Sequence, residues 1–349
     1  MTKTVQHGSV SIPNFSLESG EQLDEIHLAY EQCGPIDAPT ILVCHALTGN
    51  QFAVGTDTKP GWWRGLIHES GYIDTACYQV ITFNVLGGCD GSTGPGSSQP
   101  NGEPYQDQFP TLTVRDLVEA QFVALNILGI DQLKAVIGGS LGGMQVLEWG
   151  LMYPDYMEAI FPIAVTPVFS DYAIAFNHIA KQAILRDQAL KNGEQPKDGL
   201  HLARMVGMVT YRPEELFSKR FSRQQQNGVY DVESYLNYQG EKLANRFNPY
   251  SYIRLLDAMN GHDITRGRGS YQQVLEQFNV PIFALAFQND LLYPPEKIKR
   301  FVKDLEKAGA YSEYHEVETI FGHDGFLVEF EKWGPFIQEK SMSLETIKN

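Results

Sequence analysis

Leu133-Lys-Ala-Val-Ile-Gly-Gly-Ser-Leu-Gly-Gly-Met-Gln-Val-Leu-Glu-Trp149 is the stretch from which the fold can be read. A short apolar run ends at Ile137, four glycines bracket Ser140, and an apolar helical pattern follows. Gly138-Gly-Ser-Leu-Gly142 matches G-x-S-x-G, a motif in which a strand turns into a helix within one residue. Glycine is needed there for steric reasons. The turn strains the backbone of Ser140, and only neighbours without a Cβ allow the close approach. The turn also lifts the hydroxyl above a sheet edge and aims a helix N-terminus at any anion forming there. A glycine-rich packing turn with an idle serine has the same spelling, so the surroundings must decide.

Outward from this point, residues 41–45, 79–83, 133–137, 159–163, 281–287 and 311–317 read as buried strands. Between them, Val114, Leu117, Val118, Phe122, Leu125 and Leu128 follow a helical stripe. It opens on a Thr113-x-x-Asp116 capping box and closes at Gly129. Ile298, Phe301, Val302 and Leu305 repeat the stripe between Pro294-Pro295 and Gly309. Such alternation implies an α/β fold, its sheet mainly parallel and covered by helices on both faces. From 166 to 268 the strand signals stop. Helices broken at 193–199, Pro213, Gly228 and Pro249 read there as an inserted helical lid domain, leaving 1–165 and 269–349 as the core. The runs Gln224-Gln-Gln226 and Arg266-Gly-Arg-Gly269 read as a solvated helix end and a solvated loop.

Composition narrows the function classes. The chain has 349 residues, 43% hydrophobic and 20% charged, which is ordinary for a folded protein. Its 27 basic and 42 acidic residues give a net charge of −15, which repels phosphate backbones and anionic lipid. Nucleic-acid and membrane partners are therefore not expected, and an anionic ligand would need a pocket supplying its own cations or backbone amides. Cys33, Cys44, Cys77 and Cys89 fall at spacings that suit neither zinc nor a disulfide framework, so no metal site is expected. The start, Met1 to Gly8, has no apolar core of a secretory leader, and residues 135–147 are too short and glycine-broken to span a bilayer. A soluble cytoplasmic protein is the expectation.

A serine nucleophile needs a base, and the base needs a carboxylate to hold its tautomer. On a G-x-S-x-G sheet the chain order is Ser, acid, His. Asp290 follows the strand at 281–287, and His323 lies in Gly322-His-Asp-Gly325, the loop after the last strand. Ser140, Asp290 and His323 are the candidate triad. The oxyanion donors would be the backbone N–H of Leu141, directly after the nucleophile, and that of Leu47, in the loop leaving 41–45. His45 reads as a structural support of that loop.

These residues carry a resemblance that runs nearly end to end. Cys44-His-Ala-Leu-Thr-Gly49, Asn84-Val-Leu-Gly-Gly-Cys-Asp-Gly-Ser-Thr-Gly-Pro95, the elbow with its Met-Gln-x-Leu-Glu-Trp149 continuation, Val232-Glu-Ser-Tyr-Leu-x-Tyr-Gln-Gly240 and Gly322-His-Asp324 are its main blocks. The chain resembles the homoserine O-acyltransferases of the α/β-hydrolase type, most closely the O-acetyltransferases. The resemblance implies that acetyl-CoA, as co-substrate and not as a resident cofactor, acylates Ser140, and that the hydroxyl of L-homoserine then takes the acetyl group in methionine biosynthesis. It also implies that Arg204, Tyr211 and Asp324 hold the amino acid, and that a homodimer forms through the lid, to which Tyr235, Leu236 and Tyr238 would contribute. Against the family pattern, Asn248-Pro-Tyr250 replaces Asp-Ala-Asn, Ser92 replaces Thr, and Asn289 replaces Ser. A succinyl donor or a serine acceptor would use the same triad. A plain esterase would share the triad but lack the amino-acid clamp, and a non-catalytic binding protein would have lost a triad member.

Overall fold

The apolar runs become strands, and a hairpin absent from the expected set joins them. β1 (Gln6–Ser16) and β2 (Gln22–Cys33) pair antiparallel at one edge of the sheet. β3 (Thr40–Cys44), β4 (Gln79–Phe83), β5 (Ala135–Gly139), β6 (Ile160–Ile163) and β7 (Ile282–Phe287) are buried along their whole length, and β8 (Ser312–Val317) closes the far edge. The eight strands lie in the order β1-β2-β4-β3-β5-β6-β7-β8, and every pair from β4 to β8 is parallel. This computed structural model describes residues 5–347, with side chains as far as residue 344. Residues 1–4, part of the start in which no leader is expected, lie outside the described residues. Among the described residues no helix is long and apolar enough to cross a membrane.

Two apolar layers sandwich the sheet. On one side α1 (Val114–Ile127) and α2 (Leu141–Met152) pack with β1, β2 and the helical segment 166–268. On the other, Trp63, Trp333, Ile337 and Phe326 cover the strands. Thr113 and Asp116 form the expected reciprocal cap of α1. The expected strand 133–137 is displaced by two residues. Leu133 makes only an isolated bridge to Met157, and β5 runs on to Gly139, directly beneath the turn.

Residues 166–268 hold α3 (Asp171–Leu185), α4 (Lys197–Thr210), α5 (Glu214–Phe221), α6 (Asp231–Ala244) and α7 (Pro249–Asn260). Gly199, expected in a break, lies inside α4, where a Cβ would stand 2.5 Å from the backbone of α3 at Ala183 and Ile184. The break is thus shorter than expected. The two ends of this segment are tied together by Phe169 N–H to His262 O and Ile264 N–H to Pro167 O, each 3.0 Å. Where a helix end was expected at 224–226, a short exposed ribbon forms. Asn227 and Gly228, at φ 52° and 82°, supply the positive-φ pair that a tight hairpin turn needs.

Arg266-Gly-Arg-Gly269 is not a solvated loop. Arg268 grips the buried Glu148 of α2 through both terminal nitrogens at 3.1 and 2.6 Å, and Arg115 approaches the same carboxylate at 3.3 Å. Arg115 and Arg266 also share Glu18, so one network joins the N-terminal hairpin, α1, α2 and the exit of the helical segment. Removing the central carboxylate leaves the mostly buried Arg268 guanidinium without a counter-charge, while Arg115 keeps Glu18, and breaking a buried pair in this way typically costs about 3 kcal/mol or more. Glu148→Ala should lower the urea midpoint by an equivalent amount without changing the slope of the transition.

Candidate active site

Ser140 sits between β5 and α2 at φ 58° and ψ −121°. A Cβ on Gly142 would lie 2.1 Å from the Cys44 carbonyl oxygen, and one on Gly138 would lie 2.7 Å from it. The turn is therefore in backbone contact with the end of β3. Ser140 N–H donates to Ile163 O at 3.0 Å. Behind the turn a buried polar chain explains the Met-Gln-x-Leu-Glu-Trp continuation. Gln145 Nε2 donates to His45 O and Leu141 O, Gln121 Nε2 to Gln145 Oε1 at 2.7 Å, and Trp149 Nε1 to Gln121 Oε1 at 3.0 Å.

Asp290 and His323 come together from separate loops. His323 Nδ1 lies 2.7 Å from Asp290 Oδ2, both side chains buried. The other oxygen, Oδ1, accepts the N–H groups of Leu292 and Tyr293 at 2.9 Å each, which fixes the carboxylate. Burial alone would lower the His323 pKa, but the charge and hydrogen bond of Asp290 outweigh it and the net shift is upward. With Nδ1 taken by Asp290, Nε2 is the nitrogen left for a reacting proton. No direct hydrogen bond joins Ser140 to His323 among the described residues, a common state before substrate arrives. Phe326 links the two, lying against His323 and filling the space that a Cβ on Gly139 would take.

The N–H groups of Leu47 and Leu141 have no acceptor among the described hydrogen bonds, and both residues are buried. The contact of Gly142 with Cys44 and His45 brings their two loops together. His45 supports this loop: Nδ1 donates to Ala46 O at 2.8 Å, and Nε2 accepts from Val85 N–H at 3.1 Å. Burial pushes its pKa down to about 4, so it stays neutral.

The two residues of the helical segment meet this centre. Arg204 and Tyr211 are seven apart, two turns of helix, and so share one face of α4 and its C-cap. The Arg204 guanidinium lies 5.7 Å from the Tyr211 ring centroid, and that ring is 5.7 Å from the ring of His323. Asp324 N–H donates to Tyr211 O at 3.3 Å. Burial raises the Tyr211 pKa, opposed by the charge of Arg204.

Sequence reasoning missed two residues here. Arg212 Nε donates to Asp324 Oδ2 at 2.6 Å, and its Nη1 to the Tyr235 hydroxyl at 2.8 Å. Asp324 is thus already paired on one oxygen, and Tyr235, expected on an outer contact surface, is buried beneath Arg212 and Arg220. Tyr293 stacks on His323 with centroids 5.1 Å apart. Its buried hydroxyl lies beside Ser140 yet is not aligned for a hydrogen bond with it or with any other group. The Asp-x-x-Tyr spacing from Asp290 could have signalled it, since a carboxylate that caps its own turn fixes the residue three places on.

Residues 39–330 match the model of the alpha/beta hydrolase fold. Homoserine O-acetyltransferase of Moorella thermoacetica is 41% identical over 343 residues, covering 92% of each chain. The crystal structure of homoserine O-acetyltransferase from Bacillus anthracis superposes with a TM-score of 0.91 at 26% identity, covering 97% of both chains. The chain belongs to the homoserine O-acetyltransferase family. The structure of esterase E22 superposes at 0.89 over 97% of this chain and 100% of its own, but at 22% identity it attests the fold alone.

Within the family pattern, the departures are locally sound. Asn248 caps α7 by accepting from Tyr250 N–H and Ser251 N–H, as an aspartate would, and Pro249 suits the first helical position. Asn289 has φ 62°, a left-handed conformation that asparagine tolerates better than serine. Ser92 keeps the hydroxyl bonds a threonine would make, donating to Asn84 O and accepting from Ala29 N–H.

A base at His323 must be unprotonated to act. Because its pKa is raised above 6.5, acylation should increase with pH through a midpoint above 6.5. In Asp290→Asn, burial, the largest influence, is opposed only by the lesser charge effect of Asp324, so the midpoint should fall while the rate drops by ~10⁴. Stopped-flow acylation rates across pH measure both. A midpoint unmoved by the substitution would place the titrating group elsewhere.

Proposed function

We propose that this chain transfers an acetyl group from acetyl-CoA to the hydroxyl of L-homoserine through an acyl-Ser140 intermediate. His323 Nε2 takes the Ser140 proton as Oγ attacks the thioester carbonyl. The oxyanion forms against the N–H groups of Leu141 and Leu47, each such donor being worth about 3 kcal/mol. The thiolate leaves with the proton from His323. The homoserine hydroxyl then gives its proton to the same nitrogen and attacks the ester, restoring Ser140.

The observation that carries this reading over an esterase is the cluster of Arg204, Tyr211 and Asp324 around His323. A guanidinium can grip a carboxylate bidentately, and the unengaged oxygen of Asp324 suits an ammonium. Bulk water is at about 55 M, whereas a well-oriented acceptor reaches an effective molarity of ~10⁵ M or more, so fixing homoserine is enough to favour transfer. The chain works as a cytoplasmic homodimer in this reading. Tyr172, Ile179, Leu202, Val209 and Tyr238 expose apolar surface on the lid helices for that contact.

Purified protein given homoserine and acetyl-CoA should release thiol and form O-acetylhomoserine in equal amounts, and intact mass should show an acetyl adduct that Ser140→Ala abolishes. An adduct persisting in the alanine variant would move the nucleophile. In Arg204→Ala, thiol release should exceed product formed, because the ester waits for an unplaced acceptor. Equal yields there would remove Arg204 from the acceptor site.

A further inference from the structure

One cavity of about 730 Å³ opens between the Ala46–Asn50 loop and the lid. Its lining includes four cations, Lys59, Arg204, Lys242 and Arg246, and not one carboxylate. In a chain of 42 acidic and 27 basic residues this is a pronounced local reversal. None of the four forms a salt bridge among the described residues, whereas Arg64, Arg115, Lys134, Lys181, Arg212 and Arg268 all do. Desolvation and the like charge of Arg204 lower the Arg246 pKa, with Asp90 opposing from outside the cavity. Holding guanidiniums and ammoniums together without counter-charge is unfavourable, and a bound polyanion relieves it.

Size and surface narrow the occupant. A homoserine carboxylate needs one guanidinium, which leaves three cations and most of the volume unused. Trp62 lines the same wall, half-buried, its ring anchored by Nε1 donating to Asn50 O at 3.0 Å. A ring fixed at its edge offers a face for a base to stack on. We infer that this cavity seats the phosphate-bearing nucleotide end of the thioester donor, with Lys59, Lys242 and Arg246 on the phosphates and Trp62 against the base. This assignment rests on the donor named above. Arg204, nearest Tyr211, then marks the boundary where the donor's reach ends and the acceptor's carboxylate begins.

The test compares two donors. Lys59→Ala and Lys242→Ala, checked for native circular dichroism and melting temperature, should each raise KM for acetyl-CoA by about fivefold to tenfold. The preference for acetyl-CoA over S-acetylpantetheine, which lacks the nucleotide, should collapse by the same factor. Adenosine 3′,5′-bisphosphate should bind the unmodified protein by calorimetry and bind the variants correspondingly more weakly. Equal losses with both donors, or bisphosphate affinity unmoved by either substitution, would overturn the assignment. Unmodified protein that binds the bisphosphate but transfers from neither donor would uphold the cavity's occupant and defeat the acyl-transfer reading.

Discussion

The contact on which the rest of the site depends is the one between two backbones: the turn at Ser140 and the end of β3. It exists because Gly142 has no side chain, since a methyl there would overlap the Cys44 carbonyl. This single closeness puts Ser140, the proposed nucleophile, at the sheet edge and starts α2 beneath it. It also brings the loop carrying Leu47 beside the N–H of Leu141. The positive φ of Ser140 costs about 1–3 kcal/mol in isolation, and such strain persists only where the surroundings over-determine it. Here the determinants are the bond from Ser140 N–H to Ile163 and the buried Gln121–Gln145–Trp149 chain beneath.

Two buried histidines near that turn show how environment assigns roles. His45 has only a carbonyl and a backbone N–H as partners, so burial wins and it remains a neutral brace. His323 is as deeply buried but faces the carboxylate of Asp290, which reverses the sign of the shift. The same side chain thus becomes a support in one setting and a proton acceptor in the other. The Tyr293 ring, stacked on His323, restricts the plane in which that proton can move.

Much of this was legible in the sequence because it is local. The elbow glycines, the cap at Thr113 and the pairing of Asp290 with His323 each follow from a few adjacent residues and the order of strands. What escaped is long-range and polar. β1 and β2 bury scattered positions among exposed ones, with alternation broken in both strands, so they lack the continuous signature of β3 or β7. Arg268 is 120 residues from Glu148, and nothing in a glycine-flanked arginine pair reveals a buried partner on α2. Arg212 lies next to Tyr211, yet its claim on Asp324 depends on how α4 meets the His323 loop. Asparagine at 289 departs from the family pattern, and its fitness for a left-handed φ is visible only in the folded backbone.

The helical segment 166–268 and the loop carrying Leu47 are not independent parts. Arg246, just beyond α6, donates from Nη2 to the carbonyl of Thr48 at 2.9 Å, one residue past Leu47. In the function proposed above, the loop that would present the Leu47 N–H to an oxyanion is thus held in part by a contact from the helical segment. Arg204, on the same segment, approaches Tyr211 and through it His323. The packing of the helical segment on the core therefore gathers, in one arrangement, the groups proposed to stabilise charge at the carbonyl and those proposed to orient an incoming amino acid. That coupling is a physical reason for a hydrolase scaffold to favour transfer. In that reading the packing that orders the loop for ester formation also fixes the groups that place the acceptor ahead of water.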